Sequence, residues 1–119
     1  MSEELRILRK EELRSHDCYQ FSYAHCFDPE HYGPDCFWRE DALYLEDSHW
    51  GMGALLPAIE QVLPGFVQYG YNRVSLTQWH QIQAFQLMEH PRSFHFFRQF
   101  REWLEEGNQG ADYFWILGV

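Results

Sequence analysis

The chain has 119 residues, 18 of them Asp or Glu against 9 Lys or Arg, for a formal charge of −9 with histidines neutral. That length predicts one domain over residues 1–119, with a radius of gyration on the order of 13–14 Å and enough buried surface for a core without disulfides or metal. An aromatic content of 18%, from 10 Phe, 7 Tyr and 5 Trp, argues against a disordered chain, and the acidic balance argues against a phosphate-binding surface for nucleic acid.

The charge is uneven along the chain. Residues 1–14 carry four acids and four bases, residues 71–119 carry five and four, and residues 15–70 carry nine acids against Arg39 alone, a net −8. Such a segment is either a solvated face that keeps the protein soluble or a surface built to meet a basic partner. Met1-Ser2-Glu3-Glu4 is acidic and no apolar run of a signal peptide follows it. No stretch approaches the roughly 18 apolar residues of a membrane span. Three cysteines cannot close a disulfide framework among themselves. These features point to a cytoplasmic protein with reduced thiols, in contact with neither membrane nor nucleic acid.

In chain order, residues 3–14 place Leu5, Leu8 and Leu13 near a helical stripe, which suits a short helix or a strand from Leu5 to Leu8. Residues 18–27 alternate, with Tyr19, Phe21 and Tyr23 on one side, and predict a strand. Asp28-Pro29 and Gly33-Pro34 mark a loop. Residues 42–45 fit a short strand or one turn of helix. From Gly53 the spacing of Leu55, Leu56, Ile59, Val62 and Leu63 predicts a helix stopped by Pro64-Gly65. Residues 66–74 predict a strand interrupted near Gly70. A helix capped by Ser75 or Thr77 then runs to about Glu89, with Leu76, Trp79, Ile82, Phe85 and Met88 turned inward. Residues 92–106 place Phe96, Phe97, Phe100, Trp103 and Leu104 on one helical face, with Ser93 as cap and Gly107 as stop. Tyr113 to Leu117 is continuously apolar and predicts a buried terminal strand. Without regular βαβ alternation the fold class is α+β, with three to four helices packed on a small sheet.

Four constellations bear on chemistry. His16, Cys18, His25, Cys26, His31 and Cys36 are six soft-metal ligands within 21 residues. Their spacings match no zinc knuckle, and a strand over 18–26 puts Cys18 and Cys26 on one face with His25 on the other. A Cys–His nucleophile needs a lowered thiol pKa, which these acidic surroundings oppose. The pairs Glu40-Asp41 and Glu46-Asp47 diverge as neighbours do and form no calcium loop. No phosphate-binding, nucleophile-elbow or metalloprotease motif is present. Finally, aromatics interleave with acids through the net-negative segment, and hot spots for protein partners favour Trp and Tyr.

The aromatic helix Phe96 to Leu104, the polar turn after it and the terminal strand Tyr113 to Val119, together with size and acidity, resemble the small bacterial immunity proteins that neutralise a partner toxin, including barstar-type nuclease inhibitors. The resemblance spans about a quarter of the chain and carries over no functional residues. It implies a non-enzymatic protein without cofactor, whose acidic side chains occupy a basic site on a protein partner, a nuclease-type toxin being one such partner. The expected contact residues are Asp28, Glu30, Asp35, Trp38, Glu40, Asp41, Tyr44, Glu46, Asp47 and Trp50. The alternatives are a metal-binding domain built on the His/Cys cluster and a small enzyme of unrecognised type.

Overall fold

The sheet is organised around the strand β1 (Cys18–Tyr23), which pairs antiparallel on one side with β2 (Leu43–Glu46) and on the other with the terminal strand β4 (Tyr113–Gly118); β3 (Tyr71–Ser75) completes the order β2-β1-β4-β3. The computed structural model describes residues 5–118. Glu3 and Glu4 of the expected first element, and Val119 of the terminal strand, lie outside the described residues.

Three helices cover one face of the sheet: α1 (Met52–Val62), α2 (Leu76–Glu89) and α3 (Phe94–Gly107). Tyr19, Phe21 and Tyr23 of β1 meet them there, with Phe114 and Ile116 of β4, in a core closed by Leu55, Ile59, Trp79, Ile82, Phe96 and Phe100. The opposite face, hereafter the outer face, is covered by irregular chain. Leu8 and Leu13 pack on Cys18, Ala42 and Tyr44, while Phe27, Cys36 and Phe37 pack on Trp115 and Leu117. All six residues of β1 are therefore buried, including Gln20 and Ser22, because both of its faces are roofed. This is an α+β domain, with a radius of gyration of 13.3 Å.

Several expectations hold and others shift for local reasons. Leu5 to Ile7 has no regular structure, and Leu8 makes a two-hydrogen-bond bridge to Tyr44 that covers the free edge of β2. Of the two options for residues 42–45, the strand forms, over Leu43–Glu46. The first strand ends at Tyr23, not at residue 27, because Ala24–Cys26 winds into a 3-10 turn; Cys18 and Cys26 thus do not share a strand face. The expected strand over 66–74 is confined to Tyr71–Ser75. The Asn72 amide bonds both the N–H and the C=O of Val67 at 2.8 Å, so residues 66–70 fold back as a loop instead of pairing. Ser75, of the two candidate caps, closes α2 in a capping box with Gln78.

The inward face of α2 differs from the expected one. Trp79, Ile82 and Gln86 are buried, whereas Phe85 is 45% and Met88 80% exposed. Gln86 tolerates burial because its amide donates to the Ser93 hydroxyl at 3.3 Å, which also removes Ser93 from its expected role as cap of α3. The face of α3 is as expected, with Phe96, Phe97, Phe100 and Trp103 buried. At its end Gly107 lies against Tyr23, and any Cβ there would overlap the Tyr23 ring. Asn108 follows, buried, and ties three segments together: it accepts from the Ala24 N–H and donates to the carbonyls of Ala111 and Tyr113.

Candidate functional site

Four acids of the net-negative segment, Asp28, Glu30, Asp35 and Glu40, lie on the loop that covers the outer face. From Phe27 to Asp41 the chain crosses that face with little regular structure beyond a 3-10 turn at Pro34–Cys36, so its polar backbone groups must find partners elsewhere. Buried side chains of the fold supply them. Gln20 donates to the Cys36 carbonyl at 2.9 Å and to the Ser22 hydroxyl at 2.8 Å, and accepts from the Trp38 N–H at 2.7 Å. The Tyr44 hydroxyl donates to the Arg39 carbonyl at 2.7 Å, and the Trp103 indole to the Asp41 carbonyl at 2.8 Å. Four positions of the loop, Cys36, Trp38, Arg39 and Asp41, are thus anchored to the sheet and to α3. Trp38 carries the strain of this path, at φ 60° in the left-handed region that bulky residues avoid.

The expected contact residues fall into distinct groups. Asp28, Glu30, Asp35 and Glu40 are exposed on the loop. Asp28 accepts from the Glu30 N–H and faces His31 Nδ1 at 3.2 Å; these two contacts hold its carboxyl below the usual range. Asp47 and Trp50 are exposed at the far end of β2. Asp41 and Glu46 flank that strand, five residues and roughly 16 Å apart at the rise of an extended chain. The carboxylates therefore do not form one compact patch.

Three expected contacts are otherwise engaged. Asp41 accepts from Nε and Nη2 of Arg39, each at 2.9 Å, and from the Cys26 thiol at 3.6 Å. Arg39 pulls the Asp41 carboxyl below its ordinary pKa, and the segment's lone base is neutralised in the process. Glu46 accepts from the Arg14 N–H at 2.9 Å. Tyr44 is a correction: it is wholly buried, stacked under Trp38 with ring centroids 6.3 Å apart, and cannot touch a partner. Trp38 is half-buried, its free side turned to a cavity of about 390 Å³ lined by Lys10, Arg14 and His16. It belongs to a basic corner instead of the acidic surface.

The His/Cys cluster is dispersed. Among the described residues no three His, Cys, Asp or Glu side chains converge in a way that would hold a metal ion. His25 stacks on Tyr23, His31 pairs with Asp28, His16 meets the edge of Trp38, and Cys18 is buried beneath the N-terminal segment. Burial, followed by the charges of Glu46 and Asp17, pushes the Cys18 thiol up to about 11; burial and then Asp41 do the same to Cys26. Relative to a thiol at 9.0, the thiolate fraction near neutral pH falls about a hundredfold. Both cysteines are accordingly expected to react with iodoacetamide at about pH 8 some hundredfold more slowly in the native protein than in the urea-unfolded chain, as followed by mass spectrometry; equal rates would remove the inert-thiol assignment. Because folding raises these pKa values, the folded state keeps its thiol protons longer. The associated stability is present below about pH 9 and fades as pH climbs toward 11.

A cavity of about 550 Å³ lies in a groove between α2 and α3, lined by Trp79, Leu87 and Phe97 and by Arg98 and Arg101. It contains none of the expected contact residues. The anchoring residue Gln20 and the aromatics Phe27, Tyr69 and Tyr71 were not among the expected site residues. Gln20 was legible only as a polar residue inside an aromatic strand, and the others as loop or strand aromatics without a partner.

No helix among the described residues is long and apolar enough to cross a membrane. Comparison of the chain with protein-family profiles, curated sequences and solved structures finds no match.

Proposed function

We propose that this chain is a non-enzymatic binding protein that neutralises a basic protein partner, as an immunity protein neutralises its toxin, by presenting the acidic loop 28–40 together with the turn around Asp47 and Trp50. One observation carries this reading. Of the nine carboxylates in residues 15–70, seven are exposed and none is buried, while the only base of the segment is held by Asp41. The surface field there is negative, which attracts a basic surface and repels an acidic one. The loop's anchoring adds to this. A segment already held in place loses little conformational entropy on binding, so more of the contact energy becomes affinity.

The test uses the intact protein as bait in a lysate of its native cell, beside the variant Glu30→Lys/Asp35→Lys/Glu40→Lys. These three side chains are exposed, so the variant is expected to retain the fold. The wild type is expected to retain a basic protein that elutes as salt rises, and the variant to bind it at least about a hundredfold more weakly. Equal retention by both baits, or retention indifferent to salt, would discard the acidic loop as the contact surface. Asp41→Lys and Glu46→Lys are poorer tests, since each also breaks an internal contact.

A further inference from the structure

On the outer face, where the acidic loop crosses the end of the sheet, five aromatic rings surround a cavity of about 170 Å³: Phe27, Tyr32 and Phe37 from the loop, and Tyr69 and Tyr71 from the chain entering β3. Phe27 is the buried hub, 5.2 Å from the Tyr32 centroid, 6.4 Å from Phe37 and 5.4 Å from Tyr71. Leu117 and Gly118 of β4 line the remaining side. Gly118 permits this closure: its N–H donates to the Gly70 carbonyl at 2.8 Å, and a Cβ there would overlap the Gln68 carbonyl. The loop bearing Tyr69 is thereby held against the sheet end.

Three of the rings are left open to solvent, Tyr32 at 50%, Tyr69 at 81% and Tyr71 at 48%. An aromatic wall kept exposed around a concavity is a binding feature by default. Its volume lies well below the roughly 300–1,000 Å³ of pockets for whole small molecules, so it suits one head group. Charge selects which one. No Lys or Arg lines the cavity. Arg73, the base on β3, sits over the Tyr113 ring at 4.1 Å. The loop supplying three of the rings carries the exposed carboxylates Asp28, Glu30 and Asp35. Ring faces attract cations within about 6 Å of the centroid, and anions are disfavoured by both the rings and the loop.

We propose that this aromatic box receives the ammonium group of a lysine side chain on the basic partner, its methylene stem lying along the tyrosine walls. This rests on the reading of the protein as a binder of a basic partner and names the group recognised. It can be tested without that partner, by NMR titration with Nα-acetyl-lysine methylamide as probe and the norleucine analogue as its uncharged counterpart. The lysine probe is expected to shift the amides of Phe27, Tyr71 and Gly118 saturably, and to bind about tenfold more tightly than the norleucine analogue. Tyr32→Ala and Tyr69→Ala, both at exposed positions, are expected to weaken the lysine probe by about tenfold each while keeping the wild-type unfolding midpoint.

Equal binding of both probes would overturn the proposal in favour of a plain apolar pocket. Binding indifferent to both tyrosines, or no binding, would also overturn it. A parallel titration with tetramethylammonium that binds where the lysine probe does not would reassign the box to free quaternary ammonium compounds. Loss of the box with salt-sensitive partner capture intact leaves the acidic loop standing. Probe binding in a protein that captures no basic partner removes the wider reading, and with it the assignment of the lysine to such a partner.

Discussion

Gln20→Leu is expected to destabilise the protein by about 3 kcal/mol, because it leaves the Trp38 N–H and the Cys36 carbonyl without their partners beneath the loop. A leucine of similar size fills the space, so the loss reports the orphaned polar groups and not a cavity. Against a typical total of about 5–15 kcal/mol this is a large fraction. Urea unfolding followed by tryptophan fluorescence would show a lower midpoint with an unchanged slope. The second signature is local: the Trp38 amide, held at 2.7 Å from Gln20 in the wild type, should exchange with solvent faster than the amides of β1 itself. Ser22→Ala is the internal comparison, since it removes one acceptor of Gln20 and leaves both loop contacts in place. A loss below about 0.5 kcal/mol for Gln20→Leu would mean that the loop is held by its aromatic packing alone.

Phe100→Ala is expected to cost more, about 3–5 kcal/mol, enough to leave the protein marginal at 37 °C. Phe100 is fully buried at the junction of α3 with the sheet, with ring centroids 5.3 Å from Phe21, 4.6 Å from Trp79, 5.1 Å from Trp103 and 5.1 Å from Phe114. These neighbours belong to four separate elements, so none can relax into the vacated volume without disturbing another. The loss therefore combines the transfer of the ring with a cavity that stays open. Phe94→Ala on the same helix is the contrast: Phe94 is exposed, and its removal should change stability by less than about 0.5 kcal/mol. Similar midpoints for the two variants would contradict the assignment of the core face of α3.

The contrast between those two phenylalanines also explains what the sequence could convey. The face of α3 was readable because its apolar and charged residues separate cleanly at helical spacing, so pattern and burial coincide. In α2 two stripes compete. Phe85 and Met88 are the more apolar choice, yet Gln86 takes the inward position because Ser93, after the helix, offers it a partner. No window confined to α2 contains that fact. β1 misled in the other direction: Gln20 and Ser22 alternate with aromatics as a half-exposed strand would, and only the loop folded across them makes the strand two-sided. Site prediction from neighbouring letters failed for the same reason. Glu40-Asp41 and Glu46-Asp47 look like one acidic stretch, but a strand runs between them and internal partners take Asp41 and Glu46. The negative character of residues 15–70 was legible; which carboxylates remain available was not.

The order of strands has a consequence for how the chain reaches this state. β4, the last in chain order of the described elements, occupies the middle of the sheet, and its pairing with β1 joins Tyr23 to Phe114. Until it arrives, β1 has one open edge, β3 has no neighbour, and Trp79 of α2 and Phe100 of α3 lack the ring of Phe114 against which they pack. Closing so long a loop late is entropically slow. The sheet is therefore complete only once β4 has inserted between β1 and β3, so removal of this one strand leaves both without that partner.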